Sequence, residues 1–282
     1  MNKKLAFVFG GGGSHGALQV GAMVALLEGG FQPDLLVGTS IGAANAAFIA
    51  LDQFSKTNLD RLSDVWREAA SLDLLPSNYY WLTFRTMLRR SNLKPAQRIR
   101  EFFISQGITP EVTFSDLPHH NLVIVSSDLY TGQPVLHGGN PDESILDALL
   151  LSTALPPWVM PVKKQDRYLM DGSVVSNLPI EPALNEGATH IVALDLLDTR
   201  SMFGPTEGML DFLDRLYITV EKRQSDLEIQ LAISRGIPLL HLNLIAGSTI
   251  PFWDFQYSEE LIDQGHAITQ QALETSPEFS PK

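Results

Sequence analysis

A serine stands between two glycines in Gly38-Thr39-Ser40-Ile41-Gly42, where an apolar run gives way to a stretch of small residues. A hydroxyl acts as a nucleophile when it is exposed and a neighbouring base can take its proton. The G-x-S-x-G spacing supplies the exposure. On a sharp strand-to-helix turn the serine takes a strained backbone conformation, and glycines two residues to either side let the chain pass closely. The helix N-terminus beneath it favours the negative charge that develops there. The competing reading is a glycine-flanked turn with Ser40 as a helix cap. The strand before it and the small-residue helix after it favour the nucleophile.

Gly10-Gly11-Gly12-Gly13-Ser14-His15-Gly16 is the second cluster. Consecutive glycines leave backbone N–H groups uncovered and open conformations closed to other residues. Such a loop binds an anion, either a phosphate or the oxyanion of a tetrahedral intermediate. Gly11, Gly13 and Gly16 also satisfy G-x-G-x-x-G, the pattern of a dinucleotide site, which needs an acid at the end of the second strand. Here that strand runs into Val37-Gly38-Thr39-Ser40, and the nearest acid, Asp34, precedes it. The dinucleotide reading is disfavoured.

A nucleophilic serine usually takes a histidine as its base. His15, His119, His120, His137, His190, His241 and His266 all lack a distinctive local setting. His190 opens an apolar strand and reads as a packed residue, and His119 and His120 follow Pro118 in a polar turn. By contrast, Tyr168-Leu169-Met170-Asp171-Gly172-Ser173 places an acid at the end of an apolar run, before a tight turn. In an α/β protein the strand ends form the rim where ligands bind. An Asp-Gly dipeptide is also a common plain turn, so this pattern alone leaves both readings open.

The elements that must carry these residues follow from periodicity. Residues 4–9 read as a short buried strand, 17–28 as a helix, 35–37 as a second strand and 41–51 as a helix of small and apolar residues. Strand, helix, strand, helix predicts a parallel sheet with helices on its faces. A helix over 58–70 follows. Further on, 121–126, 133–137, 189–194 and 239–242 read as strands, and 144–151, 212–234 and 259–273 as helices. The fold expected is a single three-layer α/β/α domain with a mainly parallel sheet and a helical insertion. Residues 4–200 would carry the catalytic unit, with a basic helical insertion at about 58–106. Residues 201–275 would complete the same domain, and 276–282 would be a flexible tail.

The 282 residues suffice for one large domain, and 44% hydrophobic with 18% charged residues is an ordinary globular balance. Lys and Arg number 20 against 32 Asp and Glu, a net charge of -12, which argues against nucleic acid as a partner. The absence of cysteine excludes a disulfide scaffold, a thiolate zinc site, an iron–sulfur cluster and a cysteine nucleophile. The apolar run after Lys3-Lys4 is too short for a signal core. Residues 35–51 are too polar for a membrane span. The expected location is cytoplasmic, with peripheral membrane contact as a further expectation.

Taken together, the glycine loop after the first strand, the G-x-S-x-G turn after the second and the later Asp-Gly turn resemble the patatin-like phospholipase family. Ser152-Thr153-Ala154-Leu155-Pro156-Pro157 is similar to that family's small-residue and proline segment, and Asn177 and Pro179 stand where the family commonly has them. The likeness runs from about residue 4 to 196. It implies a Ser–Asp dyad in place of a triad: Ser40 as nucleophile and Asp171 as general base. The amides of Gly11, Gly12 and Gly13 would form the oxyanion hole, with Gly16, Gly38, Gly42 and Gly172 supporting the motifs. The implied reaction is a serine-dependent lipid acyl hydrolysis through an acyl-enzyme, with a fatty-acyl ester as substrate and no cofactor or metal. The alternative is a catalytically weak or regulatory lipid-binding domain of the same fold. An ordinary esterase fold fits less well, because its nucleophile normally follows several strands and a histidine follows later. Two positions depart from the family pattern. His15 stands where Arg or Lys is usual and carries charge only when protonated, which bears on substrate choice. Ser173 replaces Gly or Ala, a small-residue exchange expected to matter little.

No acid occurs between Leu74 and Arg100, while Arg85, Arg89, Arg90, Lys94, Arg98 and Arg100 lie there. Tyr80, Trp81, Phe84, Met87 and Leu88 fall beside them at helical spacing. Two readings follow for the segment 79–100: a lipid-facing surface, or a core-packing helix with a solvated basic face.

Overall fold

The computed structural model describes residues 3–72, 74–75, 93–118, 121–156, 158–202 and 208–276. The aromatic and basic stretch 79–92 and the tail 277–282 lie outside the described residues. The strands are β1 (Leu5–Phe9), β2 (Leu35–Thr39), β3 (Asn121–Asp128), β4 (Gln133–His137), β5 (Val162–Lys164), β6 (Arg167–Asp171), β7 (His190–Asp195) and β8 (Leu239–Asn243). The helices are α1 (Gly16–Glu28), α2 (Ile41–Ala50), α3 (Lys56–Ala70), α4 (Leu93–Ser105), α5 (Ile145–Ser152), α6 (Ile180–Asn185), α7 (Met209–Ser234) and α8 (Ser258–Thr275).

Strand periodicity sorts the side chains onto two faces. In β1, Leu5, Phe7 and Phe9 enter one core, with Leu18, Met23, Leu59 and Leu261 from α1, α3 and α8. Ala6 and Val8 enter a second core with Leu35, Val37, Ile180 and Ala183. Burial on both faces explains the unbroken apolar runs of β1 and β2, since a sheet covered on each side has no polar face to show. The result is the α/β architecture with helices on both faces of a mixed sheet. β3, β2, β1, β7 and β8 run parallel, and β4, β6 and β5 are antiparallel additions.

α1 and α2 are buried around nearly their whole circumference, as their small-residue content anticipates. α3 is amphipathic: Ser55 caps its start, accepting from Asn58 N–H at 3.4 Å, and Leu59, Leu62, Trp66 and Ala69 are buried. α3 thus forms part of the main core, within the segment read from sequence as an insertion. Among the described residues no helix is long and apolar enough to cross a membrane.

One detail of register positions the chemistry. β2 pairs with the first half of β3, ending with Thr39 opposite Val125. β6 pairs antiparallel with the second half, ending with Asp171 opposite Ser126. β4 pairs with Ile124–Asp128 as well, so it takes the other edge, and β2 and β6 share one. They approach along it from opposite directions and stop at adjacent rungs. Residue 40 and residue 171 therefore meet, although 131 positions separate them in sequence.

Candidate active site

Ser40 has φ 55° and ψ -125°, a left-handed conformation that carries about 1–3 kcal/mol of strain in a non-glycine residue. Its neighbours over-determine that geometry. Ser40 N–H donates to Ser152 Oγ at 2.9 Å, and the same hydroxyl donates to Val125 O at 2.6 Å. Ser40 O accepts the N–H groups of Ala43 and Ala44 at 3.0 and 3.2 Å, opening α2. The predicted glycines serve close approach. A Cβ at Gly42 would lie 2.5 Å from the carbonyl oxygens of Phe9 and Gly10, and one at Gly38 would lie 2.6 Å from the Ala43 backbone. At Gly172 it would lie 2.3 Å from Val125 O, and at Gly16 2.7 Å from Ile41.

Ser40 Oγ donates to Asp171 Oδ2 at 2.7 Å. Asp171 is fully buried, and burial raises its pKa above the ordinary carboxylate value, opposed by the hydrogen bonds from Ser40 and Ser173. Asp171 Oδ1 accepts Ser173 N–H at 2.9 Å and Ser173 Oγ–H at 2.7 Å. Ser127 Oγ donates to the Asp171 carbonyl at 2.6 Å. The carboxylate is thereby fixed along its whole length.

The glycine loop crosses the same site. Gly11 N–H, expected among the oxyanion donors, is engaged with Asn177 O at 3.2 Å. Among the described residues no acceptor is found for Gly12 N–H or Gly13 N–H. Gly13 sits at φ 58°, where a Cβ would also strike Phe252 O at 2.2 Å, so the loop demands glycine there. A stretch after β8 that showed no sequence signal closes over the loop: Ser14 N–H donates to Phe252 O at 2.7 Å, and Ser14 Oγ to Pro251 O at 3.1 Å. His15 belongs to this clamp. Its Nε2 meets Ile250 O at 2.9 Å and must be the donor, since a carbonyl only accepts. Burial lowers the His15 pKa, so the ring is neutral at neutral pH and supplies no cation in place of the Arg or Lys of the family pattern.

A buried polar network braces the loop from below, and sequence reading missed it. Gln19 Nε2 donates to Gly10 O at 2.9 Å and Leu194 O at 3.1 Å. Asn45 Nδ2 donates to Gly16 O and Gln19 Oε1, both at 2.9 Å, and Trp66 Nε1 donates to Asn45 Oδ1 at 3.0 Å. The available signal was a lone amide in each of two helices otherwise made of small and apolar residues. A buried amide must find partners.

A cavity of about 940 Å³ opens over these groups. Ser40, Asp171 and Gly11, Gly12 and Gly13 line it, together with the apolar Phe48, Leu62, Ile99, Phe102, Phe103 and Ile108. The apolar residues of α4 therefore face this cavity.

Among the histidines, His137 sits in a Ser–His–acid chain. Its Nδ1 donates to Glu143 Oε1 at 2.9 Å, and its Nε2 lies 2.8 Å from Ser126 Oγ. Ser126 is fully buried and takes no part in the cavity wall, so this chain holds β3 to β4 and offers no nucleophile to a substrate. His119 and His120 lie outside the described residues. Among the described residues no group of three or more His, Asp or Glu side chains could hold a metal ion.

Comparison with known proteins adds an independent line. The family model for patatin-like phospholipase matches residues 7–184. Patatin-like phospholipase domain-containing protein 7 of Mus musculus is 29% identical over 203 residues, covering 68% of this chain and 13% of that protein. An NTE family protein of Mycobacterium tuberculosis, described as uncharacterized, is 26% identical over 206 residues, 73% of this chain and 32% of that protein. The chain thus spans a small part of the length of these relatives. Among solved structures, human GIVD cytosolic phospholipase A2 in complex with methyl gamma-linolenyl fluorophosphonate superposes with TM-score 0.55 at 14% identity. That match covers 98% of this chain and 59% of that one. VipD from Legionella pneumophila gives TM-score 0.50 at 16% identity, covering 97% and 67%. At such identities the structural likeness concerns the fold.

Proposed function

The chain belongs to the patatin-like phospholipase family, and from that premise we propose that it is a serine-dependent lipid acyl hydrolase working through a Ser40–Asp171 dyad. The observation that carries the proposal is the 2.7 Å hydrogen bond from Ser40 Oγ to Asp171 Oδ2, made by a serine in a strained turn on the cavity wall. Family membership supports lipid hydrolysis as the class of reaction. Support for the dyad, the intermediate and the oxyanion hole comes from the geometry of the site.

Ser40 Oγ attacks the ester carbonyl as its proton passes to Asp171 Oδ2. A carboxylate whose pKa is raised by burial is a better acceptor for that proton than an exposed one. The carbonyl oxygen becomes an oxyanion, and we assign its stabilisation to Gly12 N–H and Gly13 N–H. Gly11, whose N–H is taken by Asn177, acts instead through its missing side chain: a Cβ there would approach Asn177 Oδ1 to 2.7 Å and Ser40 Cβ to 3.3 Å. Collapse of the tetrahedral intermediate expels the alcohol, which takes the proton from Asp171, and leaves the acyl group on Ser40. Asp171 then draws a proton from water as the water attacks the acyl-enzyme, and the acid product leaves. The apolar wall formed by Phe48, Leu62, Phe102 and Phe103 suits an aliphatic acyl chain, which gains about 0.8 kcal/mol per buried methylene.

The test is hydrolysis of a short-chain aryl ester and of a lipid panel by wild type and Ser40→Ala. Loss of nearly all turnover with an unchanged melting temperature is expected. Retained turnover in Ser40→Ala would remove the proposal, and failure of wild type to hydrolyse any acyl ester would favour a lipid-binding role.

A further inference from the structure

Behind Asp171 stand two hydroxyls that the reaction above does not use. The carboxylate oxygens have different partners: Oδ2 faces Ser40, and Oδ1 accepts both the N–H and the Oγ–H of Ser173. The Ser173 hydroxyl has one proton, and the carboxylate takes it. Ser173 Oγ also makes a short contact with Tyr217 OH. Either oxygen could donate in this contact, and with the Ser173 proton already on the carboxylate the phenol O–H is the proton left for it. Tyr217 projects from α7, beyond the residues 7–184 that the family model matches. Burial, followed by the negative charges of Glu221 and Asp171, pushes its pKa well above the ordinary phenol value. The phenol therefore keeps its proton through the neutral range.

We propose that Tyr217 and Ser173 form a hydroxyl relay, Tyr217 O–H to Ser173 Oγ and Ser173 O–H to Asp171 Oδ1, that aims the carboxylate at Ser40 and sets its basicity. The inference rests on the dyad reading and deepens it. Both are assigned as positioning residues, since they act through the Asp171 carboxylate. Ser173, expected from sequence to be a neutral small-residue exchange, becomes the means by which α7 reaches the dyad.

The physics is a balance of opposing effects. Burial destabilises the charged carboxylate and makes it hold a proton too readily to act as a base near neutral pH. Donors on Oδ1 stabilise the charge and oppose that effect, and a donor that itself accepts a hydrogen bond is polarised and donates more strongly. The groups facing the carboxylate are Ser40 from the β2–α2 turn, Ser173 from its own turn, and Tyr217 and Glu221 from α7. His15 and Asp198 stand elsewhere on the same cavity wall. The Glu221 carboxylate also lies against the Tyr217 phenol and competes as an acceptor for its one proton, so the relay requires that proton turned toward Ser173.

The experiment is the pH profile of kcat/KM on a short-chain aryl ester for wild type, Ser173→Ala, Ser173→Thr and Tyr217→Phe, with Ser40→Ala as control. Removing a donor leaves the carboxylate charge less stabilised, so the proton stays on to higher pH. The acid limb is expected to move up by about 1 pH unit in Ser173→Ala. It should move in the same direction by less in Tyr217→Phe and stay near wild type in Ser173→Thr, which keeps the hydroxyl. An acid limb unmoved or moved to lower pH in Ser173→Ala and Tyr217→Phe would overturn the relay, as would a loss of activity uniform across pH. Activity surviving in Ser40→Ala would instead overturn the dyad reading beneath it.

Discussion

Replacing Asp171 by asparagine separates the charge of the dyad from its shape. The amide has nearly the same outline, and its Oδ1 can still accept from Ser173 N–H and Ser173 Oγ, as the carboxylate does at 2.9 and 2.7 Å. Its Nδ2 takes the place of Oδ2 and presents N–H to Ser40 Oγ, where the wild type presents an acceptor at 2.7 Å. The serine keeps its position and loses the group that removes its proton. General-base catalysis contributes about 10²–10⁴-fold, which corresponds to about 3–5 kcal/mol of barrier. Stability should not fall with activity. A fully buried carboxylate whose pKa is raised by burial destabilises the fold when charged, so its neutral isostere should change the unfolding free energy by about 1 kcal/mol or less, in the stabilising direction above the carboxylate range. The assay pairs kcat/KM on an aryl ester at neutral pH with a thermal melt. In wild type, activity should be lost as pH falls, with a midpoint above the ordinary carboxylate range, and Asp171→Asn should lack that limb. An Asp171→Asn protein within tenfold of wild type and with an unchanged melt would refute the assignment of Asp171 as base.

Asn45→Ala should strip the brace beneath the glycine loop. Trp66 Nε1 loses its acceptor and Gln19 Oε1 its donor, and both are buried. At about 1–3 kcal/mol for each unsatisfied group the loss is about 4 kcal/mol, or roughly 8–16 °C in Tm; a change below about 1 kcal/mol would contradict the network. Glu228, on α7, accepts from Ser176 Oγ and from Glu181 N–H at 2.8 Å, and burial raises its pKa from 4.5 to about 7. Because the folded value is raised, the stability it contributes is complete below the unfolded pKa and is lost as pH rises through about 7, a loss of about 3 kcal/mol. Denaturant titrations at pH 5 and pH 8 should show a smaller pH-dependent loss in Glu228→Gln than in wild type, and equal losses would refute the argument.

The parts of the fold legible in the sequence are those where one physical signal dominates. β1 and β2 are short apolar runs ended by glycines, and α1 and α2 are small-residue helices buried all round, so their order gives away the parallel sheet. Ser40 stands out as a candidate because a strained turn needs glycines at fixed offsets, whereas the Asp-Gly pattern alone left Asp171 open and only the family resemblance singled it out. β5 was hidden because Val162–Lys164 is exposed and carries two lysines, and β6 showed only as the apolar run that ends at Asp171. α6 is a helix of only six residues with Pro179 at its N-cap, too short to show a periodic pattern. The meeting of β2 and β6 on one edge of β3 depends on register, which no local pattern encodes. Likewise the glycine run marks Gly11 as an oxyanion donor, but its N–H is engaged with Asn177 O, a contact made by residues distant in sequence. Ser173 shows the converse. Its size was readable, but the effect of its hydroxyl depends on Tyr217 arriving from a helix that sequence alone could not aim.

The proposed covalent chemistry at Ser40 is tested most directly by mass spectrometry of the protein after reaction with an alkyl fluorophosphonate. A single adduct on Ser40 is predicted, formed far more slowly in Asp171→Asn and absent in Ser40→Ala. Turnover of acyl esters with no adduct at Ser40, or an adduct at another serine that abolishes turnover, would contradict it.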